Sequence, residues 1–220
     1  MKINYHFHSG VSVESGGDLY IFDYYRKGFD PCELALFKNV YVFASHNHGD
    51  HFDRSILGWN QYKGDINYIF SHDISNFDVP ASVMNPGDVL KINDIEVTAL
   101  DSTDEGVAFL VNTPELTLFH AGDLNWWHWE GEPEEYNLGM KEKYKREINK
   151  LRGEHIDVAF IPVDKRLEDS MYYSIDYLMA TADVKTVCPL HFWGDWKYIE
   201  KVKDELKNRE YYNRIYFYGR

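Results

Sequence analysis

The chain has 220 residues, 44% hydrophobic and 27% charged, which suits one well-buried soluble domain. Its formal net charge of −13 and its lack of any basic run argue against a nucleic-acid partner, because an acidic surface repels phosphate backbones. No apolar run approaches the ~20 residues of a membrane span, and the opening MKINYHFHSG lacks the apolar stretch of a signal peptide.

In chain order, KINYHFH, VSVES and DLYIFDYY read as a strand meander broken at Gly10 and Gly16-Gly17. NVYVFASH is nearly continuous apolar sequence, as expected for a strand buried on both faces. FDRSILGWNQY reads as a helix, INYIFSH as a strand, and NPGD (85–88) as a turn. KINDIEVTALD, GVAFLVN and LTLFHAGD follow as three strands. The second half alternates: a charged helix over 134–153, strand DVAFIPV, helix SMYYSIDYLMATADV capped by Ser170 or Ser174, strand KTVCPLH, helix DWKYIEKVKDELKNR and a last strand RIYFY. With no linker, repeat or low-complexity segment, residues 1–220 are expected to form one layered α/β domain. Cys32 and Cys188, far apart and outside any CxxC, read as free buried thiols in a reducing cytosol.

The stretch SHNHGDHFD (45–53) holds three of the chain's ten histidines. It follows a buried strand, and on extended backbone His46 and His48 point to the same side. Imidazole suits Zn, Fe or Mn, and a carboxylate adds charge. Two close pairs, His46 with His48 and Asp50 with His51, point to two neighbouring metals and not to a polar surface turn.

The HNHGDH stretch resembles the HxHxDH signature of the metallo-β-lactamase-fold hydrolases. Further residues are similar in order: Asp23 ending LYIFD to that family's first-motif aspartate, Asp123 in HAGD to its bridging aspartate and His191 in CPLHFW to its last histidine. IPVDKRL and PLHFW are most similar to its ascorbate-6-phosphate-lactonase-like branch. The resemblance implies a four-layer αββα sandwich with the metals in a cleft at one edge. It implies that His46 and His48 share one ion with a third histidine. Asp50, His51 and His191 share the other, Asp123 bridges the two, and Asp23 orients the site from behind.

That third histidine is missing. ALDSTDEGVAFLV occupies its region, and no histidine stands between His72 and His120. Asp101, Asp104 and Glu105 each offer a carboxylate there, Asp104 foremost, and this would favour a harder metal such as Mn or Fe. The alternative is a first site left weak until substrate arrives. His8, His128, Trp193 and the pair Lys165-Arg166 are candidates to line the cleft, the cations as binders of a carboxylate or phosphate. His120 is expected to support the core.

One or two divalent ions are thus expected, Zn foremost, with Mn and Fe as alternatives. The expected activity is hydrolysis of a small lactone, ester or phosphoester by water activated on the metals, with Asp50 binding metal and orienting or deprotonating that water. The competing expectation is a metal-binding, non-hydrolytic protein of the same fold that senses a metabolite or uses an iron pair for redox chemistry. A cytoplasmic location and a small-molecule partner go with either, and homo-oligomerisation stays open.

Overall fold

The computed structural model describes residues 1–26 and 28–218. Six strands form the first sheet in chain order: β1 (Lys2–Phe7), β2 (Gly10–Ser15), β3 (Asp18–Phe22), β4 (Val40–Ala44), β5 (Ile66–Ser71) and β6 (Ala81–Met84). β1 to β3 are antiparallel, and β3 to β6 run parallel. The second sheet has β7 (Val89–Ile92), β8 (Ile95–Asp101), β9 (Val107–Asn112) and β10 (Thr117–His120) as an antiparallel meander. β11 (His155–Pro162) and β12 (Asp183–Leu190) then add in parallel, giving the order β12-β11-β10-β9-β8-β7.

β4 reads VYVFA and every residue is buried. Tyr41 and Phe43 pack inward, where the Phe43 ring lies 5.3 Å from Phe109 of the other sheet. Val40, Val42 and Ala44 join a separate outer cluster with Leu34, Ile56 and Trp59. A strand buried on both faces needs cover on both, and that cover explains the continuous apolar run. Two 3-10 segments, Pro31–Leu36 and Arg54–Gln61, supply Leu34, Ile56 and Trp59. Helices α1 (Glu134–Ile148), α2 (Tyr173–Thr181) and α3 (Trp196–Leu206) follow strands of the second sheet. The layers are helical segments, sheet, sheet, helices, as an αββα sandwich requires.

Several local expectations need correction. FDRSILGWNQY makes a 3-10 helix capped by Asp53, which accepts from Ser55 N. KINDIEVTALD is two strands folded at Asn93, a left-handed residue with φ 49°. RIYFY follows a 3-10 turn at Tyr212–Arg214, which takes in its first residue, and makes one bridge, Val187 to Ile215, in place of a strand. Neither Ser170 nor Ser174 caps α2; the Ser174 hydroxyl accepts from Trp126 N at 2.8 Å instead. β6 gave little sequence signal, because ASVM is short and only Met84 is buried. Cys32 is exposed and Cys188 buried, both as free thiols.

His6 on β1 is buried against Tyr24 and Phe29, and its Nδ1–H donates to the Gly28 carbonyl at 2.9 Å. Burial lowers its pKa to about 4, against the partial support of that bond. The unfolded chain therefore takes up a proton near pH 6.5 that the folded chain refuses until about pH 4. Stability contributed by neutral His6 is complete above pH 6.5 and falls through that window by roughly 3 kcal/mol. His6→Gln keeps a donor for Gly28 and cannot ionise. Urea unfolding of metal-free protein at pH 7 and pH 4 should show the variant losing less stability than wild type by about that amount; equal losses would refute it.

Candidate metal centre

Parallel strands end at one edge of the sandwich, where ligand sites gather in such sheets. β3 delivers Asp23 there, β4 delivers Ser45 and His46, β10 delivers Asp123, β11 delivers Asp164 and β12 delivers His191. The turn between β1 and β2 adds His8, and the loop after β8 adds Ser102 to Gly106.

Two groups of metal-type donors result. His46, His48 and Asp123 present ligand atoms within 4.8 Å of one another, as do His8, His51 and His191. Asp123 links the groups. Its Oδ1 lies 3.4 Å from both His51 Nε2 and His191 Nε2, and its Oδ2 lies 3.7 Å from His46 Nε2. Asp50 stands at the rim with Oδ2 3.4 Å from His8 Nε2. Burial, reinforced by Asp104, Asp23 and Asp50, raises the Asp123 carboxyl to about 7 even though His191 pulls it down. Burial likewise holds His46 near 3 and His51 well below its ordinary value, so these imidazoles are neutral and keep lone pairs to offer.

Outer bonds decide which nitrogen faces inward. His51 Nδ1–H donates to Asp23 Oδ2 at 2.8 Å. Ser45 donates its hydroxyl to the same carboxylate at 2.6 Å and lies 3.0 Å from His46 Nδ1 as the acceptor there. His191 Nδ1–H donates to Asp164 Oδ2 at 2.8 Å, and Arg166 grips that carboxylate in turn. Burial alone would raise the Asp164 carboxyl, but the bonds from His191 and Arg166 hold it below its usual range. Each Nε2 is left pointing at the centre, the arrangement that fixes tautomer and ring orientation in histidine metal sites.

Of the three carboxylates offered, Glu105 is the one beside His48, its Oε2 3.3 Å from His48 Nε2 in an exposed pair. Asp104, like Glu105, is outside the set of mutually close donors. It instead lines a cleft of about 210 Å³ with Thr103, Asp123, Trp127, Trp129 and Arg166. Ser102 bonds Asp104 N locally, and Asp101 takes part in an exposed ion pair with Arg146. Thr103 ties the loop to the Asp123 turn by donating to the Asn125 carbonyl at 2.6 Å. Gly106 is required where it stands. Its φ is +71°, and a Cβ there would sit 1.9 Å from the Ser45 carbonyl and 2.5 Å from His46 Cβ.

The remaining candidates divide. Trp193 lies over His8, with ring centroids 3.8 Å apart. Arg166 reaches the cleft but is committed to Asp164 and stacks over Trp129 at 5.5 Å. Lys165 pairs with Asp195 at 3.0 Å. His128 faces a different cavity, lined with Trp126, Glu134 and Tyr173, and is not brought to the centre. His120 is a core residue, bonded through Nε2 to the Ser9 carbonyl and through Nδ1 to Gly122 N. Sequence reasoning passed over Ser45 and Asp164. Asp164 carried a usable signal, since it closes a buried strand as Asp23 does.

These residues fit divalent metal. His46 Nε2, His51 Nε2, both His8 nitrogens and Asp123 Oδ1 are buried with no hydrogen-bond partner in the structure. Buried polar atoms seldom stay unpaired, and a convergent imidazole–carboxylate set is the donor chemistry of Zn, Fe and Mn.

The two mixed sheets, their helical cover and this edge site define a metallo-β-lactamase-fold protein. No family model matches the chain. It is 26% identical over 235 residues to a UPF0173 metal-dependent hydrolase of Bacillus thuringiensis, covering 93% of this chain and 94% of that protein. It is 28% identical over 117 residues to a probable L-ascorbate-6-phosphate lactonase of Escherichia coli, covering 39% of this chain and 33% of the lactonase. Among solved structures, it is similar to a metallo hydrolase of Ignicoccus hospitalis, with TM-score 0.68, 16% identity and 98% and 94% of the two chains covered. The metallo-beta-lactamase fold protein YhfI of Bacillus subtilis gives TM-score 0.52 at 12% identity, covering 89% and 83%. A diiron beta-hydroxylase of Streptomyces venezuelae gives 0.57 at 12%, covering 86% of this chain and 44% of that one.

Proposed function

We propose that the chain is a metal-dependent hydrolase acting on a small lactone, ester or phosphoester. The observation that carries this is Asp123, one buried carboxylate within 3.7 Å of histidines from both donor groups. His46, His48 and Glu105 would hold one ion, His51 and His191 the other, with Asp123 between them. Divalent ions in such a pair acidify water and polarise a carbonyl or phosphoryl oxygen. Asp50, partly exposed at the rim beside His8, would orient the attacking water and accept its proton. Trp127, Trp129 and Met140 give the cleft apolar walls, and its size suits a small substrate. Arg166 is the cation among the residues lining it, and although paired with Asp164 it brings positive charge to the side of the cleft where an anionic substituent would lie.

The test is a screen of chelator-stripped protein against lactones, carboxyl esters and phosphodiesters, before and after Zn, Mn or Fe is added. Turnover that needs metal and disappears with chelator is expected. The carboxylate beside His48 favours a second reading, iron-based chemistry without hydrolysis, because oxygen donors suit Fe and Mn. Redox-active iron with no turnover on any of the three substrate classes would select it.

A further inference from the structure

His8 is a metal-type residue that neither the fold resemblance nor the hydrolase reading assigns to a metal. It is fully buried, and neither ring nitrogen has a hydrogen-bond partner. The buried histidines away from the centre keep at least one backbone partner, as His6 does through Nδ1 to the Gly28 carbonyl. His120 is just as buried, and both of its nitrogens are satisfied by backbone.

The backbone also holds His8 in place against its own preference. His8 has φ 53° and His191 φ 65°, both in the left-handed region that non-glycine residues rarely adopt. The His191 N–H donates to the His8 carbonyl at 3.1 Å, so the two strained residues fix each other. Their ring centroids lie 4.0 Å apart, and Trp193 covers His8 at 3.8 Å. Strain concentrated at a polar cluster is characteristic of functional sites.

We infer that His8 is a ligand of the second metal position, which becomes a three-histidine, one-carboxylate set of His8, His51, His191 and Asp123. The distances support it: the three histidines place nitrogens within 4.8 Å of one another, and Asp123 Oδ1 is 3.4 Å from two of them. Asp50 lies outside the histidine group and 3.4 Å from His8 Nε2, and so bears on the centre through His8.

This inference rests on the metal-dependent reading, and the test separates the two. Chelator-stripped full-length chain is titrated with Co(II), and bound cobalt, affinity by chelator competition and the visible absorption are followed. Wild type is expected to bind two ions. His8→Gln should weaken one of them by more than the ~10–100-fold typical of losing an outer partner, and should change its visible spectrum. His8→Gly suits the left-handed backbone and opens a ring-sized space, so added imidazole should restore the second ion and its spectrum. Two ions bound by wild type and both variants with equal affinity and identical spectra would overturn the role of His8 and leave the hydrolase reading standing. Wild type that takes up no cobalt would overturn both.

Discussion

Asp123→Asn is expected to lower the affinity of both metal positions together, by ~100-fold or more, since losing even an outer partner costs ~10–100-fold. The substitution is nearly isosteric, so the effect comes from charge and donor chemistry. Asp123 Oδ1 faces His51 Nε2 and His191 Nε2, and Oδ2 faces His46 Nε2. An amide offers one oxygen in place of two and no charge to offset two divalent ions. Fold stability should move the other way. Burial raises the Asp123 carboxyl to about 7, so the metal-free folded state is burdened by a charged carboxylate at pH 8. Removing that charge lifts the burden, and metal-free Asp123→Asn should melt no lower than metal-free wild type at pH 8. Elemental analysis of protein purified without chelator, beside melting curves of the stripped protein, checks both halves. A variant that retains two ions would remove Asp123 from the centre.

Much of this centre was legible because chemistry and periodicity coincide in the sequence. HNHGDH follows a strand whose five buried residues announce cover on both faces, and HAGD and CPLH repeat the pattern of a donor at a strand end. What stayed hidden depends on long-range geometry. Asp104 and Glu105 are neighbours of the same charge, and only the turn made possible by Gly106 sends one to His48 and the other to the cleft. His8 sits 183 positions before His191, and nothing local to MKINYHFHSG says that the two will share a hydrogen bond. RIYFY has the β-branched and aromatic content of a strand, yet makes only one bridge to β12. Burial still alternates along it, with exposed Arg214 and Tyr216 between half-buried Ile215 and Phe217, so the segment has a strand's surface without a strand's ladder.

Asp23→Ala is expected to damage both metal positions although Asp23 touches neither ion. Its carboxylate is fully buried and accepts from Ser45 N at 2.7 Å, Ser45 Oγ at 2.6 Å and His51 Nδ1 at 2.8 Å. The last bond fixes the His51 tautomer directly. The Ser45 hydroxyl carries the same constraint to His46, 3.0 Å away. Alanine strands three buried donors, at ~1–3 kcal/mol for each left unpaired. It also places a side chain with no local hydrogen bond at φ 46°, where aspartate is better tolerated. With partial rearrangement the loss of unfolding free energy should be roughly 3–5 kcal/mol. Asp23→Asn separates stability from metal binding. Asparagine accepts the left-handed backbone and still offers one oxygen, so most of the fold stability should remain. Its amide N–H₂ opposes the Ser45 backbone N–H if it takes the Oδ1 place, or both the Ser45 hydroxyl and the His51 Nδ1–H if it takes the Oδ2 place; the first orientation leaves His51 Nδ1–H a neutral acceptor in place of a carboxylate, and relieving the second by moving the histidine proton to Nε2 removes the lone pair needed at the centre. Metal affinity of Asp23→Asn should therefore fall by about 10–100-fold while its urea midpoint stays near wild type. Chelator competition and urea unfolding on the same preparations decide the matter: an affinity equal to wild type would make Asp23 a packing residue, whereas a loss at both positions would show one carboxylate orienting two ligands on neighbouring ions.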